Sequence, residues 1–121
     1  MNGAEPDSSF IAGIDQFNTA QFWHAHESWE MIWLRAKDPE KRFLQGLIQL
    51  AAAYHHVQRG TLRGAGRLFD AALAKLEPFP AGYGGVDRAQ VVDAARRHRI
   101  RIAAGEQIDA REYAKLTVVR G

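Results

Sequence analysis

Phe22-Trp23-His24-Ala25-His26-Glu27-Ser28-Trp29-Glu30-Met31-Ile32-Trp33 packs two imidazoles, two carboxylates and four large aromatics into little more than three helical turns. At about 100° per residue, Phe22, His26, Trp29 and Trp33 fall on one stripe. The spacing therefore predicts an amphipathic helix that turns His26 towards the interior, with Glu30 one turn on and Glu27 flanking both. A polar group on a buried stripe requires a partner or a function, because an unpaired buried amide or hydroxyl costs roughly 2–7 kcal/mol. The stretch thus predicts a helical fold and a candidate site, without a reaction.

The next block, from Pro39 to Arg59, reads as a longer helix with Asp38 as its cap and Pro39 at the first position, where a missing N–H costs nothing. Phe43, Leu47, Leu50, Tyr54 and Val57 form its main apolar stripe, and Leu44, Ile48 and Ala51 fill a second side. A further line carries Gln45, Gln49, Ala52 and His56. A helix apolar or neutral almost all round belongs in the centre of a bundle, so the Gln and His56 line is expected to be internal as well. Gly60 is the expected stop.

Outward from these blocks, residues 1–7 read as an irregular start, and a short helix is expected from Ser9 to Phe17, burying Phe10, Ile14 and Phe17. Asn18 then reads as the cap of the helix Thr19 to Ala36, since its side-chain oxygen can accept from an orphan first-turn amide. Thr61 is expected to cap a fourth helix ending at Pro78, followed by a Pro/Gly-rich loop to Val86. Asp87 and Gln90 have the spacing of a capping box for a fifth helix to Ala104, with Gly105 as its stop. The remainder, Glu106 to Gly121, is expected to be a C-terminal tail with a short extended piece at Lys115–Val119 packed on the bundle. The fold class is all-α: a single compact bundle of about five helices with antiparallel neighbours, one domain over 1–121 with its core over about 9–105.

A chain of 121 residues suits one domain, and 46% hydrophobic with 25% charged residues is ordinary for a globular one. Without cysteine there are no disulfides, no thiolate chemistry and no sulfur-ligated zinc. No apolar run approaches the roughly 20 residues that span a bilayer, and the start lacks the blocks of a signal peptide. A cytoplasmic protein with no membrane contact is expected. The formal charge of +2 conceals an imbalance: residues 1–58 hold four Lys/Arg against seven Asp/Glu, and residues 59–121 twelve against seven. Arg96, Arg97, Arg99 and Arg101 surround His98, a cluster that reads as a solvated helix face before a nucleic-acid surface, because aromatics are not interleaved with it.

Three chemistries fit the polar residues. His26 and Glu30 at i, i+4 have the spacing of paired zinc ligands, with Glu27 where a general base would sit and His56 as a third ligand from the neighbouring helix, an arrangement suited to a metal-dependent hydrolase. No cofactor is expected, and a divalent metal is the alternative. The plainer reading is an internal hydrogen-bonded network of His26, Glu30, Gln45, Gln49 and His56 that fixes helix pairing. Between these lies a module that binds a small polar ligand or a peptide with the same groups, framed by Trp23, Trp29, Trp33 and Tyr54. Arg59 and Arg63 would add a clamp for phosphate or carboxylate. The candidate cluster as a whole is His26, Glu27, Glu30, Gln45, Gln49, His55, His56 and Arg59, with His55 expected to be a partly buried packing residue more than a ligand, His24 solvated, and His98 internal with one nitrogen bonded. The tryptophans read as core, and helix-mediated self-association is the remaining alternative.

These same blocks resemble a known group, the domain of unknown function 309 family. The matching text is Phe17-Asn18, the run Phe22 to Glu30 with Trp33, the run Phe43 to His56 with Arg59-Gly60, and Gly85-Val86-Asp87. Position 24 departs from the pattern, holding His where Glu is expected, which argues against an essential role for His24. The resemblance implies a compact helical fold with the His-Glu block and the Gln/His-His block on adjacent helices, and it implies no activity.

Overall fold

The computed structural model describes residues 8–119 and contains five α-helices: α1 (Ser8–Asn18), α2 (Phe22–Trp33), α3 (Glu40–Gln58), α4 (Leu62–Leu76) and α5 (Arg88–Ala103). The irregular start expected over residues 1–7 lies outside the described residues. Successive helices pack in order, with α1 on α2, α2 and α4 on either side of α3, and α5 on α4. Among the described residues no helix is long and apolar enough to cross a membrane.

The central place of α3 follows from its composition. Phe43, Leu47, Leu50 and Tyr54 turn into one core, while Gly46 brings the backbone against Leu76 of α4, whose side chain would collide with any Cβ there. On the other flank α2 buries Phe22, Ala25 and Trp29. Phe22 and Trp29 keep their expected places on the buried line, but small Ala25 takes the place expected for His26, which is displaced to its edge. The large side chains Phe22, Trp29 and Trp33 set the direction of the expected stripe, and the small Ala25 between them carries too little weight in a periodicity reading to move it.

Of the expected caps, only Asp87 makes its side-chain bond: α3 begins at Glu40 with Pro39, not Asp38, at the cap, and Thr61 stands at the cap of α4 without a side-chain cap bond. α2 begins at Phe22, not Thr19, because Thr19–Gln21 forms a loop with Ala20 in the left-handed region (φ 61°). Asn18 does not cap; its amide Nδ2 donates to the Leu116 carbonyl at 2.9 Å, and its Oδ1 accepts from the Leu116 amide at 2.7 Å. Asp87 caps α5 as expected, accepting from the Gln90 amide at 2.9 Å, whereas Gln90 Oε1 takes the Thr117 hydroxyl instead of closing a capping box. Gly60 and Gly105, with φ of 77° and 81°, stand in the left-handed conformation that ends a helix.

The C-terminal extended segment packs on the bundle, as expected, and its side chains carry the buried core beyond the expected limit of about residue 105. Ile108, Tyr113, Ala114 and Leu116 are buried, and Val118 pairs antiparallel with Val86. Tyr113 packs edge-on against Phe22, and its ring also meets Tyr54.

Candidate functional site

Each candidate side chain takes its position from the helix pairing just described. Because α2 and α3 are joined by a short connection and run antiparallel, the first turns of α2 meet the last turns of α3. Trp23 stacks on His26 with ring centroids 4.9 Å apart and planes 11° apart, and leans on His55 of α3 at 5.4 Å. His26 Nε2 lies 3.5 Å from Glu30 Oε2, while its Nδ1 is buried without a hydrogen-bond partner among the described residues. Burial lowers the His55 pKa, and the nearby Arg59 cation, His56 and His26 push it the same way, so the ring is neutral near pH 7. Glu27 and Glu30 are exposed beside this group, and Glu27 pairs loosely with His24 at 3.6 Å.

The remaining candidates stand elsewhere. His56 hydrogen-bonds the Thr61 hydroxyl through Nδ1 at 2.9 Å and lies against Gly64 of α4. It therefore belongs to the α3–α4 junction, not to the α2 face. Gln45 and Gln49 share its stripe on the helical wheel, and Gln49 Oε1 is buried without a partner among the described residues. His55, expected as a partly buried packing residue, is the histidine that meets α2, so the expected single enclosure of His26, Glu30, Gln45, Gln49 and His56 divides across α3. The hydrolase ligand set of His26, Glu30 and His56 divides with it. Among the described residues no group of three or more His, Asp and Glu side chains is arranged to hold a metal ion.

The tryptophans also part company. Trp29 is fully buried, its Nε1 donating to the Phe10 carbonyl at 3.2 Å, and Trp33 is half-buried under Lys41, whose Nζ stands 4.4 Å above the ring. Trp23, expected in the core, is 50% exposed. On the wheel it shares an outward stripe with Glu27, Glu30 and Leu34, with Met31 alongside, and Leu34 and Met31 are 68% and 59% exposed. A stripe of Trp23, Leu34 and Met31 in water beside two carboxylates is a surface feature that helix-core periodicity conceals. The one sequence signal for it was the surplus of large apolar residues on α2 beyond what a single buried face can hold.

A family model described as domain of unknown function (DUF309) matches residues 10–68. Residues 10–68 belong to that family. The family block spans α1, α2, α3 and the first turns of α4, so it contains the Trp23–His26–His55 group and ends before Gly85-Val86-Asp87. No curated protein matches the chain significantly.

The arginine cluster is largely neutralised. Arg96 pairs with Glu77 at 2.7 Å, Arg99 with Asp70 at 2.8 Å and Arg101 with Glu112 at 2.9 Å. Paired guanidinium groups on a helix face read as packing between α4, α5 and the C-terminal segment.

His98 is buried, as expected for an internal histidine with a bonded ring nitrogen. Tyr54 of α3 meets its Nδ1 at 2.6 Å. Burial lowers the His98 pKa first, helped by the Arg101 and Arg97 cations, so the ring is neutral. Burial likewise raises the Tyr54 pKa far above its usual value, against the opposing effect of a hydrogen bond from the Ala114 backbone. With the Ala114 amide donating to the hydroxyl oxygen, the hydroxyl proton goes to Nδ1, which assigns the proton of the neutral imidazole to Nε2.

Proposed function

We propose that the chain is a binding module whose recognition surface is the outward face of α2, and that this surface takes a basic, amphipathic polypeptide segment of a partner protein. The observation that carries the reading is Trp23: half exposed, yet held by ring contacts to His26 and His55. A tryptophan fixed in one orientation at the surface supplies a large apolar contact at little entropic cost, which is why tryptophan dominates binding hot spots. Leu34 and Met31 extend the apolar contact along the helix over about 16 Å, the rise of eleven residues. Glu27 and Glu30, set among them, favour lysine or arginine on the partner. The cysteine-free composition suits a cytoplasmic setting.

The test is a titration of isotope-labelled protein with a synthetic amphipathic peptide of lysine and leucine, followed by amide chemical shifts. Saturable shifts confined to α2 and the His55 turn, abolished by Trp23→Ala with the fold intact, support the reading. Shifts centred on other helices, or equal affinity for the Trp23→Ala variant, overturn it. Sedimentation of the free protein distinguishes a second copy of the chain as the occupant.

A further inference from the structure

Between the first turns of α4 and the last turn of α5 lies an open cleft of about 440 Å³, and three of the residues lining it are Arg63, Arg67 and Arg99. That volume is the size of a small-molecule site. Leu62 and Ile102 give the cleft apolar walls. Arg63 and Arg67 are exposed and, among the described residues, have no ion pair, unlike Arg96, Arg99 and Arg101.

This arrangement is electrostatically unfavourable in the free protein. Arg63 and Arg67 stand one turn apart, where like charges repel, and Arg63 sits in the first turn of α4, where the helix dipole is positive. Arg99 adds a third guanidinium from α5. Its position is constructed: Asp70 accepts from Nε at 2.8 Å and from Nη2 at 3.0 Å, which fixes the plane of the group. Nη1 is left unpaired among the described residues and lies across Gly66, where a Cβ would stand 3.1 Å from it. The glycine keeps this approach open, at the cost of helix propensity.

We infer that the α4–α5 cleft is a binding site for a small organic phosphate, with Arg63, Arg67 and Arg99 holding the phosphate group and Leu62 and Ile102 contacting the apolar part of the molecule. Three guanidinium groups supply donors for the three terminal oxygens of a phosphomonoester, and its double charge offsets the surplus of cations. Ile102 and Arg99 lie beyond residues 10–68, so the family block holds only the α4 side of the cleft.

Phenyl phosphate, inorganic phosphate and a short single-stranded oligonucleotide serve as probes at low ionic strength, with calorimetry for affinity and amide shifts for location. Phenyl phosphate is expected to bind more tightly than inorganic phosphate and to shift the Gly66 and Ile102 amides. The Arg63→Gln/Arg67→Gln double variant, which leaves the Asp70–Arg99 pair intact, should bind it at least about tenfold more weakly while melting at the same or a higher temperature without ligand. Gly66→Ala, which suits a helix and displaces only the end of the Arg99 side chain, should also weaken binding. No binding at millimolar phenyl phosphate, unchanged affinity in the double variant, or an oligonucleotide that binds more tightly than phenyl phosphate would each overturn the inference.

Discussion

The side chain of Asn18 clasps the backbone of Leu116, donating to its carbonyl and accepting from its amide across 98 positions of sequence. The pair does for the C-terminal segment what a neighbouring strand would do, and Lys115 reinforces it by donating to the Asn18 carbonyl at 2.7 Å. Replacing Asn18 with alanine leaves two half-buried backbone groups unpaired. Asn18→Ala is expected to destabilise by about 1–3 kcal/mol in urea unfolding and to speed hydrogen exchange at Leu116. A loss below about 0.5 kcal/mol, the scale of a plain surface substitution, would show that the segment is held by Tyr113 and Ile108 alone.

Tyr54 and His98 hold the same segment from inside. Tyr54→Phe keeps the ring and its packing but strips the hydroxyl from both His98 Nδ1 and the Ala114 amide. The expected cost is again about 1–3 kcal/mol, with faster exchange at the Ala114 amide. Unchanged exchange there would contradict the assigned hydrogen bond.

Acid should act on the same contact. The folded-state pKa of His98 is depressed below the usual 6.5, so the unfolded chain binds its proton first as pH falls. The contribution of neutral His98 to stability is complete above about 6.5 and declines below it, until the folded-state pKa is reached. For this one group the slope stays within about 1.4 kcal/mol per pH unit. The His98 ring, followed by NMR, should titrate below 6.5; a midpoint at or above that value would contradict its burial.

Gly13 is needed for a different reason. The Trp29 indole lies on α1 where a Cβ would stand, and its ring cannot retreat because Phe17 and Phe10 flank it. In an open helix Gly→Ala stabilises by roughly 0.5–1 kcal/mol. Here overpacking reverses the sign, and Gly13→Ala is expected to cost about 1–3 kcal/mol in a thermal or chemical melt.

What the sequence disclosed and what it withheld divide along range. The α3 stripe through Phe43, Leu47, Leu50 and Tyr54, the stops at Gly60 and Gly105 and the Asp87 cap were legible because each is decided within a turn or two. Asn18 carries a good capping side chain, and only the distant Leu116 backbone shows why it is used otherwise. For the candidate site, the juxtaposition of the His26 block with the end of α3 was readable from antiparallel neighbours. Which histidine of the pair His55 and His56 would face α2 was not, since the two differ by one position and the rotation of α3 is set by Gly46 against α4. Trp23 was misread for a related reason: four aromatics on a helix of twelve residues exceed one buried face, and sequence does not say which is left outside.

The outward face of α2 is tested most directly by reversing its charge. In the double variant Glu27→Lys/Glu30→Lys, with Trp23, Met31 and Leu34 unchanged, binding constants for a lysine/leucine peptide and a glutamate/leucine peptide of the same length would be compared with those of the parent chain. The parent should prefer the lysine peptide and the variant the glutamate peptide, with the preference shrinking as salt is added. A preference that stays with the lysine peptide in both proteins would contradict recognition through this face.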